Sequence, residues 1–176
     1  MKTNNFFKMA VATVIFCGSI YGSRSLAQAT GIAGANANII VPISIAKNVD
    51  MNFGNAAVAS GVGGSIVLAP AGTRTTTGSG VTFPAVSGTV AAASFTVSGA
   101  PGYTYAITLP VSAVINGPGS ASMAVSGFTS NPNSTGSIAT GGTQSLSVGA
   151  TLTVAPAQMP GLYTNAVAVP VTVNYN

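Results

Sequence analysis

Apolar side chains recur at every second position in several separate stretches of this 176-residue chain. A strand with one buried face has this period, whereas an amphipathic helix repeats every ~3.6 residues. The clearest stretches are 93–98, 103–109, 145–154 and 167–175, and a further one covers 33–41. Strong helix formers are scarce, since the chain has no Glu and few Lys. The sequence therefore predicts an all-β protein.

Turn residues separate these stretches. Ala100-Pro101-Gly102 lies between the strands predicted at 93–98 and 103–109, so a β-hairpin is predicted there. Shorter strands are predicted at 49–53, 65–68, 81–83 and 123–128. About seven to nine short strands between Gly, Pro and Asn turn signals are typical of an antiparallel, immunoglobulin-like β-sandwich.

The first 29 residues have the pattern of a cleaved export signal. Lys2 and Lys8 supply positive charge, residues 9–20 are apolar, and Ala27-Gln28-Ala29 forms a small-residue cleavage site. The apolar run is shorter than the ~20 residues that cross a bilayer, so we expect a removed signal peptide and no integral membrane anchor. We expect the mature chain, residues 30–176, to be one secreted domain in the periplasm, on the outer surface or in an extracellular fibre.

Ionisable side chains are too few for most chemistry. The chain has no His, and cleavage after residue 29 leaves Lys47, Asp50 and Arg74 as the charged side chains and no cysteine. Acid–base catalysis and metal binding therefore lack their usual groups, and two cations cannot neutralise a run of phosphates. We expect no enzymatic activity, no cofactor, no metal and no nucleic-acid partner. We expect Lys47 and Asp50 to pair weakly at the surface and Arg74 to be an exposed loop cation.

The same scarcity of charge leaves the sheet edges unguarded. Monomeric β proteins usually protect their edge strands with Lys, inward-pointing charges or prolines. Residues 33–41 are therefore either a donor strand that adds to another subunit or the ordinary first strand of a complete sandwich. The predicted strand-exchange contacts are the apolar faces of the first and last stretches: Ala33, Ala35, Ala37, Ile39, Val41, Val167, Val169, Val171, Val173 and Tyr175.

Two tyrosines suggest a binding function in place of a structural one. Tyr103 and Tyr105 lie on one face of their predicted strand and can form an aromatic platform for a sugar. The same face carries Ile107 and Leu109, which favours a place in the core. Two functions follow. The first is an exported structural subunit that joins itself or related subunits through edge strands. The second is a monomeric cell-surface glycan-binding module that uses these tyrosines or a loop at 72–80.

Several motifs follow one another in a specific order: ANANIIVPISI at 35–45, MNFG at 51–54, GSIVLAP at 64–70, FTVSG at 95–99, and an ending from Gly161-Leu162-Tyr163 to Tyr175. These motifs resemble a secreted bacterial family known as domain of unknown function 4402, which implies an exported protein without an assigned activity. The ending is also similar to chaperone-usher fimbrial subunits and spore-coat-U-like proteins. That similarity implies a pilin-like sandwich and a periplasmic chaperone as a further partner, although the disulfide common in such subunits has no cysteines here.

Overall fold

The computed structural model of the chain describes residues 28–164 and 169–176. Residues 28–38 belong to one unit of the chain and the residues from Ile39 onward to another, which holds the β-strands. Residues 1–27 of the predicted signal peptide, including Ala27 of the cleavage site, lie outside the described residues. Ala29 is exposed and belongs to no helix or strand.

Within the described ranges, twelve β-strands and one short 3₁₀ turn at Pro118–Ser120 follow one another along the chain. The strands are β1 Ser44–Val49, β2 Ala57–Val58, β3 Gly64–Leu68, β4 Arg74–Thr77, β5 Val81–Thr82, β6 Ala93–Ser98, β7 Thr104–Thr108, β8 Ser112–Asn116, β9 Ser122–Asn131, β10 Thr135–Ser137, β11 Thr143–Val154 and β12 Thr172–Tyr175. Every pair of neighbouring strands is antiparallel.

The larger sheet is organised around β11, the longest strand. One edge of β11 pairs with β9, and the other edge pairs first with β6 and then with β3. Strands β1, β4 and β8 lie outside β6, β3 and β9, respectively. A second sheet has the order β10-β7-β12, and β2 pairs with β5 in a small ribbon. The expected all-β antiparallel sandwich is confirmed.

The interior consists of two clusters of apolar side chains, both of which include residues of β11. Leu146 and Val148 pack in the first cluster with residues of the second sheet, such as Tyr105 and Val173. Ala150, Leu152 and Val154 pack in the second cluster. Every second residue from 146 to 154 is therefore buried, as the alternation predicts. Each large aliphatic side chain buried in this way contributes about 1.5–3 kcal/mol to folding.

The predicted hairpin at 93–109 is wrong, although both of its strands exist. Strand β6 pairs with β1 and β11, whereas β7 pairs with β10 and β12 in the other sheet. The loop between them is held by distant segments: the Ala100 N–H donates to the Tyr175 hydroxyl, and the Gly102 N–H donates to the Ile138 carbonyl. Crossing between the sheets places Val97 and Tyr105, both fully buried, in the same core cluster.

The strand predicted at 33–41 is also absent, because the first strand of the domain begins at Ser44. We call residues 33–41 the arm. Every arm residue except Ile40 is exposed, and no described strand pairs with the arm. The interpretation of the arm as an ordinary first strand is therefore wrong, and its role as a donor stays a prediction.

Three other expectations concern the shorter strands. The strands predicted at 65–68, 81–83 and 123–128 correspond to β3, β5 and β9. In the stretch 49–53, Val49 ends β1, and the remaining residues make only an isolated bridge between Asn52 and Ala91. Five strands were not predicted: β1, β2, β4, β8 and β10.

Candidate functional site

The last strand, the loop after β6 and the start of the domain meet at one tyrosine. The Tyr175 hydroxyl accepts a hydrogen bond from the Ala100 N–H at 2.6 Å and donates one to the Val41 carbonyl oxygen at 2.9 Å. The Tyr103 ring packs edge-on against Tyr175, with 5.8 Å between the ring centroids. A side chain at Gly99 would overlap the Tyr175 hydroxyl. This junction of Val41, Ala100, Tyr103 and Tyr175 sets the point where the arm leaves the domain.

Two edge strands lie beside this junction. Strand β12 pairs with β7 along one edge and β1 pairs with β6, and neither pairs with a second described strand. Strand β1 carries Lys47, which forms a 2.6 Å ion pair with Asp50, as expected. Both side chains are more than half exposed, so this pair contributes little to stability. The sequence of β12, Thr-Val-Asn-Tyr, carries no charge, so β12 is an unguarded edge.

The second sheet covers only part of the larger sheet. No residue of β7, β10 or β12 belongs to the second core cluster or to the apolar residues packed against it. A cavity of about 1240 Å³ extends over this region. We call it the groove. It is lined by Phe95 of β6, Val125 of β9 and Leu152 of β11, together with Val49 of β1 and Val171 ahead of β12.

The residues predicted for strand exchange differ in their burial, and one of them lies outside the described residues. In the arm, Ala33, Ala35, Ala37, Ile39 and Val41 are exposed. In and before β12, Val173 is buried, and Val169, Val171 and Tyr175 are half-buried. Val167 lies outside the described residues. Among these residues, the structure brings Val41 into contact with Tyr175 through the hydrogen bond at the junction.

Tyr103 and Tyr105 do not form an aromatic platform. Tyr105 is fully buried in the first core cluster, where its hydroxyl donates to the Gln144 side-chain oxygen at 2.9 Å. Burial raises the pKa of this hydroxyl above its ordinary value. Tyr103 remains 43% exposed, but its ring neighbour is Tyr175. The interpretation of Tyr105 as a core residue is confirmed.

Arg74 is not a loop cation. It begins strand β4 and is half-buried, and its guanidinium donates hydrogen bonds to the carbonyl oxygens of Phe53 and Asn55 and a longer one to that of Ser87. The guanidinium carbon also lies 4.0 Å from the centre of the Phe83 ring, a cation–π contact. Arg74 thereby holds two loops against the domain. Because β4 occupies residues 74–77, the predicted loop at 72–80 is largely a strand and its turn.

The described residues offer little material for covalent or metal chemistry. In residues 28–164 and 169–176, no three His, Cys, Asp or Glu side chains come together in a cluster that could hold a metal ion. Among the same residues, the structure contains no helix of the length and apolarity needed to cross a membrane. What the site offers is open strand backbone and apolar surface, both of which can bind an extended peptide.

Sequence reasoning identified β12 but missed the groove. The groove brings together residues that are far apart in the sequence, such as Val49, Val125 and Val171. The local sequence feature that could have indicated the groove is a pair of phenylalanines. Phe53 and Phe95 both line the groove, and neither is fully buried. For Tyr175, the signal was its penultimate position in the motif order, but its partners Val41 and Ala100 could not be read from that position.

Comparison with known proteins gives one match. Residues 43–175 match the family model described as Domain of unknown function (DUF4402). No curated protein and no solved structure matches the chain. The matched range contains all twelve described strands and begins directly after Pro42, so the arm precedes it. Because the match covers well over half of the sequence, the chain belongs to the DUF4402 family of domains of unknown function.

Proposed function

We propose that this protein is an exported structural subunit, of a fimbrial or coat type, that assembles with itself or with related subunits by adding a β-strand. The arm is the donor segment, and the open edge of β12 is the acceptor. The observation that carries this proposal is an exposed segment with a strand pattern and no described strand partner, in a domain with an unguarded edge.

Strand addition would pair the free backbone groups of the arm with those of the β12 edge. An edge strand presents unpaired N–H and C=O groups, which a second extended chain can pair. The nine residues of the arm span roughly 30 Å when extended, which is ample for the four residues of β12. The arm carries no charged residue, and Gly34 is its only glycine, so little in its sequence opposes an extended conformation.

Export is part of the same proposal. The predicted signal peptide at 1–29 would deliver the chain to the periplasm, and the subunit would act there, on the outer surface or in an extracellular fibre. A periplasmic chaperone is the proposed second partner, because an unguarded edge invites premature pairing before assembly. A glycan-binding module is not favoured by any observation once Tyr105 is placed in the core.

The test is removal of the arm from the mature chain. We expect residues 30–176 to form oligomers or filaments, and residues 42–176 to form a soluble, less stable monomer. Light scattering after size exclusion, together with electron microscopy, distinguishes these states. The arm lies outside every described strand, so its removal does not delete a part of the sheets. Oligomers that persist unchanged without the arm would show that it is not the donor.

A further inference from the structure

We infer that the Gln144 side chain closes the β10 edge of the second sheet and thereby confines strand addition in that sheet to the β12 edge. Gln144 is in this sense a residue that determines the specificity of assembly. The inference rests on the proposed strand addition and goes beyond it, because an open β12 edge does not by itself exclude a donor from the β10 edge of the same sheet.

The two edges of the second sheet are alike in sequence. Strands β10, Thr-Gly-Ser, and β12, Thr-Val-Asn-Tyr, carry no charge and no proline, and each pairs with β7 along one side. Both strands also have exposed residues, such as Thr135 and Ser137 of β10 and Asn174 of β12. Neither edge therefore has the Lys, inward charge or proline that usually prevents strand addition. The difference between them lies in their backbone hydrogen bonds.

The pairing of β10 with β7 fixes which backbone groups of β10 face outward. Ser134, just before β10, and Ile138, just after it, form backbone hydrogen bonds with the segment that holds β7. In an antiparallel pair, residues that bond to the neighbouring strand alternate with residues that do not. Thr135 and Ser137 therefore direct their N–H and C=O groups away from β7, toward the outer edge.

Both outward N–H groups of β10 already have partners in their own domain. The Ser137 N–H donates to the Gln144 Oε1 at 2.8 Å. The Thr135 N–H donates to the Asn133 carbonyl oxygen at 2.6 Å within the turn that precedes β10. A strand added at this edge would find carbonyl acceptors but no free donor. It could therefore form only part of the hydrogen bonds that strand addition needs.

The β12 edge differs in this respect. The Asn176 N–H donates to the Thr104 carbonyl oxygen at 3.2 Å, so the same alternation directs the backbone groups of Val173 and Tyr175 away from β7. Among residues 28–164 and 169–176, no group accepts a hydrogen bond from the N–H of Val173 or Tyr175. The β12 edge therefore offers both donors and acceptors to a second chain.

Gln144 reaches β10 from the opposite sheet. It lies in β11, directly opposite Val97 of β6, and directly opposite residues of paired strands share one face of the sheet. Val97 is fully buried, so Gln144 also points inward. The other inward positions of β11, from Leu146 to Val154, are apolar and buried. A polar side chain in such a position is unfavourable unless it is hydrogen-bonded, which sets Gln144 apart from its neighbours.

Two donors hold the Gln144 oxygen in place. Its Oε1 accepts hydrogen bonds from the Ser137 N–H and from the Tyr105 hydroxyl, the latter at 2.9 Å. A backbone N–H can only donate, so the amide oxygen and not the amide nitrogen must face it. The Tyr105 ring is fully buried, and its hydroxyl therefore keeps Oε1 at the β10 edge.

The first test uses the unmodified mature chain below the concentration at which it assembles. We expect the Ser137 amide to exchange its hydrogen more than about tenfold more slowly than the Val173 amide, as measured by NMR. Burial alone predicts the opposite order, because Ser137 is exposed and Val173 is buried. Equal or reversed rates would overturn the inference, and this measurement does not depend on the folding of any variant.

The second test compares Gln144→Leu with Tyr105→Phe in residues 30–176. Both variants lose the hydrogen bond between these two side chains, but only Gln144→Leu also frees the Ser137 N–H. Because each Gln144→Leu copy would have two open edges in its second sheet, we expect branched or laterally joined assemblies by electron microscopy. The concentration for half-assembly should fall at least about threefold below that of Tyr105→Phe. Tyr105→Phe should assemble in the same form as the unmodified chain.

A proline separates edge closure from a general loosening of the core. Proline has no N–H, and the Ser137 N–H takes no part in the pairing with β7, so proline is tolerated there as on other edge strands. We expect Ser137→Pro, added to Gln144→Leu, to restore the assembly of the unmodified chain. A double variant that still forms branched assemblies would show that the Ser137 N–H is not the group that matters.

The outcomes separate this inference from the proposed function. If the mature chain assembles and Gln144→Leu behaves like Tyr105→Phe, strand addition stands and closure of β10 by Gln144 is overturned. If the unmodified chain is monomeric and Gln144→Leu alone associates, the closure stands and the proposed function fails. If neither protein associates, both fail.

Discussion

Three tyrosines of the described chain each lie against a glycine whose missing side chain makes room for the ring. Tyr105 packs over Gly136 and Tyr175 packs over Gly99, while Gly117 lies under Tyr163. An added Cβ at any of these glycines would overlap the ring or hydroxyl. Gly136 lies in strand β10, where an aromatic ring over a glycine stabilises a sheet, whereas Gly99 and Gly117 directly follow β6 and β8. The position of each tyrosine therefore depends on a residue that leaves no pattern of its own in the sequence.

Gly136→Ala tests this dependence in the first core cluster. Gly136 lies in β10 directly opposite Tyr105, so the new methyl group must displace a buried ring. We expect a loss of about 1–3 kcal/mol in the free energy of unfolding, measured with urea. Gly141→Ala is the control, because a methyl group added there would have no atom within 4 Å to displace. Equal stabilities of the two variants would contradict the packing described here.

The Tyr105 hydroxyl predicts a loss of stability at alkaline pH. Burial raises its pKa in the folded state above the unfolded value of about 10, so the folded state holds its proton more tightly. Its contribution is complete below about pH 9 and is lost as the pH rises through the folded pKa. Urea unfolding across this range should show the decline, and Tyr105→Phe should show a shallower one. An identical slope in the two proteins would exclude Tyr105 as the source.

Individual strands show how local pattern and long-range pairing combine. Strand β11 is recognisable because its apolar residues from Leu146 to Val154 occupy every second position and are buried. Strand β8 is not recognisable in this way. Val114 is apolar although it is 55% exposed, so Ala113, Val114 and Ile115 form an apolar run without alternation in the sequence. Strand β4, with the sequence Arg-Thr-Thr-Thr, is held by its pairing with β3 and by the contacts of Arg74. Short polar strands of this kind exist because a neighbour supplies their partners.

Arg74→Met tests the link between β4 and its two loops. The substitution removes the donors to the carbonyls of Phe53, Asn55 and Ser87 and the cation over Phe83. We expect a loss of about 1.5–3 kcal/mol in unfolding free energy, together with faster hydrogen exchange at residues 53–55 and 83–88. Lys47→Met, which removes an exposed cation, should cost less than about 1 kcal/mol. If both variants lose the same amount, Arg74 has no special structural role.

At the scale of the whole molecule, the sandwich is unevenly covered. The first core cluster lies between two sheets, whereas the second faces the small β2–β5 ribbon, loops and the groove. Exposing the apolar side chains of the arm to water is unfavourable, and burial against another subunit would remove that cost. The arm pairs with no described strand and β12 pairs with only one, and the proposed assembly would pair the two with each other.

Assembly through an uncharged arm should be almost independent of salt. Neither the arm nor β12 carries a charge, so screening has little to act on. We expect the concentration for half-assembly to change less than about threefold between about 0.05 and 0.5 M NaCl. Analytical ultracentrifugation at several salt concentrations measures this. A steep weakening with salt would point to a charged contact and against the arm as the main one.

Much of this protein could be predicted from local pattern, because the side-chain period of a strand is a property of consecutive residues. The alternation from 146 to 154, the burial of Tyr105 and the family follow from the sequence by itself. Only the tertiary structure decided that β6 and β7 lie in different sheets, that residues 33–41 pair with no described strand, and that Arg74 holds two loops. These features depend on contacts between residues far apart in the chain, since a strand pattern states which face is buried and not which strand will cover it.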